Sequence, residues 1–309
     1  MTSNWSVLGL VNEAVAYLAK KGIDAPRLDA EVLMARTLGW ERIDLYLRHD
    51  QPLNEDEVDR FRELIRRRAR REPVAYITGQ KEFWSIRLQV TPEVLIPRPE
   101  TETLVETALS AAHAVRPHKA EPVRILEIGT GSGAVAVVLA LELGEAGELI
   151  ATDRSTAALD VARANAGSLG VAGRIRFVAG DLFDALETDE DLFDLIVSNP
   201  PYIPSPLIPD LPPEIKDYEP QGSVDGGADG LSVIRPILQE AHRWLVPHGS
   251  LVLEVGEGQR PALDAILEQQ GFWQGWRWVP DLHGSDRVLC VQTMSPSSPK
   301  EYLEGIGRG

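Results

Sequence analysis

From residue 123 to residue 292 short apolar runs alternate with segments of helical period, and no other feature constrains the fold as tightly. Residues 123–128, 149–152, 174–178, 192–197 and 250–255 have strand length and are mostly apolar. Residues 134–143, 156–169, 231–245 and 261–270 read as helices. The Trp-rich stretch to Val279 and residues 287–292 supply the last strands. Strand–helix–strand repetition predicts an α/β fold with a mainly parallel sheet and helices on both faces. Such sheets take ligands at the carboxyl ends of their strands, which is where this chain places glycines and isolated polar residues.

Residues 1–80 carry a different pattern and predict a small all-helical domain. Val7, Leu10, Val11, Ala14 and Leu18 have helical spacing, Pro26 opens a second helix, and Asn54 with Glu57 forms a capping box for a third. That third helix ends in Arg66, Arg67, Arg68, Arg70 and Arg71. The expectation is a solvated basic face that complements the helix dipole, with a partner-docking surface as the rival reading. Residues 81–98 predict a linking β-hairpin: one strand over 83–90, a turn at Thr91-Pro92 and a return strand over 94–96. Residues 99–294 would then form the α/β domain, with 295–309 a flexible polar tail.

Charge is unevenly divided. The net charge is −16, yet the first 82 residues hold 14 basic and 14 acidic side chains, so the remainder carries the whole excess. A surface that grips nucleic acid needs a basic patch, so no stable nucleic-acid binding is expected. No apolar run approaches membrane-spanning length, and no signal peptide is evident at the start, which favours a cytoplasmic protein with no membrane association. A single cysteine, Cys290, excludes an internal disulfide, and the six histidines are scattered, so no metal site is expected.

The segment Glu127-Ile128-Gly129-Thr130-Gly131-Ser132-Gly133 follows one strand and opens a helix. Glycines there let the backbone turn sharply and approach a ligand. A phosphate-bearing nucleotide could use such a loop, but the Gly-x-Gly-x-Gly spacing lacks the Lys-Ser/Thr of a P-loop. Glu127 is unwelcome beside pyrophosphate and suits the ammonium of a methionine moiety. Asp153, ending the next strand, can accept from both ribose hydroxyls. Asp181 and Leu182, after the third strand, can meet an adenine amino group and ring. Together these strand ends point to S-adenosylmethionine.

The fourth strand ends at Asn199-Pro200-Pro201-Tyr202. An amide or aromatic amine nitrogen is a poor nucleophile because its lone pair is delocalised. The Asn199 oxygen and the Pro200 carbonyl can accept its two N–H groups on a loop stiffened by two prolines, and Tyr202 offers a flat face. The residues therefore predict methyl transfer to a planar nitrogen, by positioning and electrostatics.

These motifs resemble the protein-(glutamine-N5) methyltransferases of the HemK/PrmC type. The resemblance runs from about residue 5 to 293 and includes Arg67-Arg68, Glu72-Pro73-Val74-Ala75-Tyr76-Ile77-Thr78-Gly79, Phe83-Trp84, Leu95-Ile96-Pro97-Arg98-Pro99-Glu100-Thr101-Glu102 and Tyr218-Glu219-Pro220. It implies a Rossmann-like class I methyltransferase domain with a seven-stranded sheet, and a substrate glutamine in the Gly-Gly-Gln motif of peptide chain release factors. Carried over by residue, it assigns Gly129 to Gly133, Asp153, Asp181, Leu182 and Asn199 to the cofactor. It assigns Asn199, Pro200, Pro201 and Tyr202, with Ile96 and Arg98, to the substrate. Asn199, Pro200 and Tyr202 are the catalytic set. Leu182 stands where the family often has an aromatic. A ribosomal-protein glutamine, an adenine in DNA, or a non-catalytic cofactor module are the competing readings.

Overall fold

A computed structural model describes residues 2–116, 119–186 and 192–294. The chain divides into two compact units: Met1–Gln80 with Pro212–Tyr218, and Lys81–Leu211 with Glu219–Gly309. The expected tail, 295–309, lies outside the described residues.

The first unit contains β1 (Thr2–Ser6), α1 (Val7–Lys20), α2 (Pro26–Leu38), α3 (Arg42–Leu47), β2 (Pro52–Asn54), α4 (Glu55–Ala69) and α5 (Val74–Thr78). The side chain of Ser6 accepts from the Gly9 amide and starts α1. Asn54 and Glu57 complete the anticipated capping box reciprocally, at 2.9 and 2.8 Å. Pro26 occupies the first turn of α2, and Gly39, at φ 67°, ends it in the left-handed conformation. The apolar faces of these helices enclose Leu18, Leu33, Met34, Leu53 and Phe61. To the helices the structure adds α3, α5 and a two-stranded antiparallel ribbon of β1 with β2. Periodicity could not reveal these, because each is shorter than the window that periodicity needs.

The arginine-rich end of α4 is not a solvated face. Arg68 is buried; its guanidinium donates to Asp29 at 2.6 Å and to Glu214 at 2.8 Å. Arg71 pairs with the other oxygen of Glu214 at 2.8 Å, and Arg67 makes a two-pronged pair with Glu72. Only Arg66 and Arg70 of the five are exposed. Glu214 lies in Pro213–Lys216, the helical turn α9, so the first unit closes over a segment more than 140 residues away in sequence. No local sequence rule points to that partner.

The second unit starts with the hairpin β3 (Gln80–Phe83) and β4 (Ile86–Gln89), followed by α6 (Thr101–Val115). The turn falls at Trp84-Ser85, not at Thr91-Pro92, and residues 94–96 are not a strand. Trp84 and Ser85 both take positive φ, 52° and 60°, as a tight two-residue hairpin turn requires. Trp-Ser carries none of the glycine or asparagine that normally signals such a turn, which is why the sequence concealed it.

Then come β5 (Val123–Ile128), α7 (Ala134–Leu143), β6 (Gly147–Asp153), α8 (Thr156–Ser168), β7 (Ile175–Ala179), β8 (Phe193–Ser198), α10 (Ile234–Trp244), β9 (Leu245–Glu254), α11 (Arg260–Glu268), β10 (Trp273–Pro280) and β11 (Asp286–Thr293). They build a seven-stranded sheet in the order β10-β11-β9-β8-β5-β6-β7. The five strands from β5 to β9 are parallel, and β11 runs antiparallel to both β9 and β10. Successive residues of one strand feed opposite cores. Ile125, Leu149 and Leu195 pack with α6, α7 and α8, whereas Leu126, Ile150 and Ile196 pack with α10 and α11. Burial on both faces explains the near-continuous apolar runs. The chain adds strands outward from β5 on one side and then returns to place β8 on the other, so a crevice opens between β5 and β8. No helix among the described residues is long and apolar enough to cross a membrane.

Removing Arg68 would leave Asp29 and Glu214 facing each other without their shared cation. Arg68→Ala is expected to cost roughly 3–5 kcal/mol of stability, read by denaturant unfolding. Arg66→Ala, at an exposed pair with Glu63, should change it by less than about 1 kcal/mol.

Candidate active site

The glycine loop is shaped by the strands beneath it. Gly129, Gly131 and Gly133 take φ of 74°, 54° and 79°, which side-chain-bearing residues rarely adopt. At Gly133 a Cβ would also stand 3.0 Å from that of Ala162, so this glycine is what lets α7 approach α8. The amides of Gly129 and Thr130 both donate to the Thr152 carbonyl of β6 at 2.9 Å. Asp153 then clamps the loop: one oxygen accepts from the Gly131 amide at 2.8 Å and the other from the Ser155 amide at 2.8 Å.

Glu127 is buried beneath the loop and borders the cleft. One oxygen, Oε2, accepts from the Thr130 hydroxyl at 2.6 Å and from the Ala136 amide at 3.1 Å. Burial pushes its carboxyl up to about 7, with these two hydrogen bonds opposing the shift and Asp153 adding to it. Its first role is thus to tie the loop to the start of α7.

The Asn199-Pro200-Pro201-Tyr202 segment leaves β8 beside this loop. Ser198 donates to the Ile128 carbonyl at 2.7 Å and so joins β8 to β5 at their ends. Asn199 donates through Nδ2 to the Thr101 hydroxyl at 3.1 Å; among the described residues its oxygen takes no hydrogen bond. Tyr202 donates to Glu254 at 3.1 Å, and its carbonyl accepts from Gln259 at 3.0 Å. Gly226 lies directly under it: a Cβ there would be 2.8 Å from Tyr202 Cα.

A single cleft of about 270 Å³ collects most of the residues singled out in the sequence. Gly129, Thr130, Gly131, Ser132, Asp153, Asp181, Leu182, Asn199, Pro200 and Pro201 line it. Leu182 does so with φ of 50°, a left-handed conformation that leucine adopts at a cost of order 1 kcal/mol. Gly133, Tyr202, Ile96 and Arg98 are not in its wall. Tyr202 is held to Glu254, and Arg98 donates to buried Glu219 at 2.6 Å. The neighbours Val94, Leu95 and Pro97 form the wall instead, opposite Pro220 and Ser223.

Sequence reasoning assigned no role to Thr101, Glu219 or Glu254, although the first two stand in segments that carry the resemblance. Glu254 did leave a signal: it is the one charge in the apolar run Leu251-Val252-Leu253-Glu254-Val255. Thr101 offered only its place in the 95–102 segment, since a threonine at a helix start is ordinary.

Residues 9–79 match the PrmC N-terminal domain, and residues 119–279 match a methyltransferase domain. A release factor glutamine methyltransferase of Geobacter sulfurreducens is 41% identical over 285 residues, covering 92% of this chain and 96% of the relative. One from Rhodopirellula baltica is 38% identical over 294 residues, covering 94% and 98%. The chain belongs to the release factor glutamine methyltransferase family. Among solved structures, the hMettl16 catalytic domain in complex with a MAT2A 3′UTR hairpin superposes with a TM-score of 0.54 at 17% identity, covering 73% of this chain and 81% of that one. A human methyltransferase 10 domain containing protein gives 0.51 at 17%, covering 69% and 90%. These two share the fold with this methyltransferase.

Both hydrogen bonds to Glu127 go to one oxygen, so glutamine can replace it without losing them. The Glu127 pKa lies above its unfolded value, so the folded state binds the extra proton and this group's contribution weakens as pH rises from about 4.5 to about 7. Glu127→Gln should therefore gain stability relative to the parent over that window, by up to a few kcal/mol. Urea unfolding at pH 5 and pH 8 checks this, and an equal difference at both values would contradict it.

Proposed function

We propose that this chain transfers a methyl group from S-adenosylmethionine to the side-chain amide nitrogen (N5) of the glutamine in the Gly-Gly-Gln motif of peptide chain release factors. The observation that carries the reading is the state of Asn199. Its amide nitrogen is occupied by Thr101, so its oxygen is the group left for an incoming N–H, beside the glycine loop in the same cleft. The relatives are named for release factor glutamine methylation, which supports a glutamine side chain as the source of the nitrogen.

The cleft suits the cofactor in its donor set. Gly129 to Ser132 bring backbone close to the methionine end, Asp153 keeps acceptor capacity for ribose, and Asp181 with Leu182 forms the adenine side. Gly133 serves this arrangement through the backbone and not by contact. When bound, S-adenosylmethionine supplies a methyl group on a positively charged sulfur, which is a good leaving group. The protein's own task is placement. Asn199 Oδ1 and the Pro200 carbonyl accept the two substrate N–H groups, and the prolines keep both acceptors preorganised. Tyr202 acts from behind the cleft wall, in place of the flat stacking face expected from the sequence. The acidic balance of residues beyond 82 disfavours DNA as the source of the nitrogen.

Methyl-labelled S-adenosylmethionine, offered separately with release factor, ribosomal proteins and DNA, tests the substrate. Label is expected on the release factor glutamine; label on DNA alone would overturn the reading. Asn199→Ala should lower kcat at least about 100-fold while cofactor affinity stays within a few-fold by calorimetry.

A further inference from the structure

Two buried polar side chains hold the first and last residues of the Asn199–Tyr202 motif. Asn199 Nδ2 donates to the hydroxyl of Thr101, the first residue of α6, at 3.1 Å. Thr101 is itself buried and borders the Glu254 carboxylate. Glu254, the last residue of β9, is fully buried and accepts from the Tyr202 hydroxyl at 3.1 Å; its second oxygen has no hydrogen-bond partner. One end of the motif is thus held by Thr101 and the other by Glu254, and the two holding residues are neighbours.

We propose that Thr101 and Glu254 are positioning residues for methyl transfer, which fix the Asn199 amide with its oxygen toward the substrate nitrogen. A carboxylate can only accept, so it directs the hydroxyl protons of Thr101 and Tyr202 toward itself. The Thr101 oxygen is then an acceptor for Asn199, and the amide cannot turn over without placing two acceptors face to face. Rotation by half a turn would present N–H groups to the substrate N–H, so this orientation decides whether the site works.

Burial raises the Glu254 carboxyl to about 7; Thr101, Tyr202 and Arg287 of β11 oppose that rise, and Glu100 adds to it. The relay is at full strength when Glu254 is ionised, so kcat rises with pH through about 7.

The kinetic arm rests on the glutamine-transfer reading. Thr101→Val keeps shape and removes the hydroxyl; kcat should fall roughly 10- to 100-fold with the S-adenosylmethionine dissociation constant unchanged. Thr101→Ser should restore most of it, and Glu254→Gln should flatten the pH profile near 7. Wild-type kcat in Thr101→Val, equal losses in the serine and valine variants, or an unaltered profile in Glu254→Gln overturns the proposal. An unlabelled release factor with the wild-type enzyme would instead sink the substrate reading. In that case hydrogen exchange of the Asn199 side-chain amide, followed by NMR, decides the relay. Exchange at least about 10-fold faster in Thr101→Val supports it, and equal exchange overturns it.

Discussion

A parallel sheet covered on both faces has nowhere to put polar side chains except beyond the ends of its strands. That constraint organises the second unit. Ile125 and Leu126, or Leu195 and Ile196, supply opposite cores, so the polar groups of the cleft gather at the strand ends. The cleft is lined where each strand runs out: Gly129 after β5, Asp153 at the end of β6, Asp181 after β7 and Asn199 after β8. The reversal of strand order between β5 and β8 leaves a crevice there, and Ser198 fixes the two ends together through the Ile128 carbonyl.

Buried carboxylates complete the site, and each costs desolvation that its partners only partly offset. Glu127 ties the glycine loop to α7, Glu254 holds Tyr202, and Glu219 holds Arg98. All three have pKa values raised by burial. The arginine cluster of the first unit follows the opposite logic. Arg68 and Arg71 converge on Glu214, and its own backbone amide together with these two arginines keeps the Glu214 carboxyl below the ordinary range despite burial. A run that reads as solvated charge in one dimension is a closed ion-pair network in three.

Much of the site was legible before any coordinates. The glycine loop, Asp153, Asp181, Leu182 and Asn199 to Pro201 converge on one cleft because each sits at a strand end, and strand ends can be read from apolar runs. Where the reading failed, the signal was too short or too distant. The Trp84-Ser85 turn uses residues that seldom take positive φ, and α3 and α5 fall below the length at which a period shows. Tyr202 carried a motif but not an orientation.

The alternation of apolar runs determined the α/β architecture, and motif spacing determined which loops carry chemistry, because both depend on short-range periodicity and backbone permission. Only the tertiary structure decided what stands behind those loops. The sequence separations are 98 residues between Thr101 and Asn199, 52 between Tyr202 and Glu254, and 146 between Arg68 and Glu214. Each pair forms because packing of the core brings distant segments together, and the energetic gain of pairing a charge or an amide exists only once both are out of water. No local pattern encodes such a partner, so the residues that aim the acceptor motif became visible only in the fold.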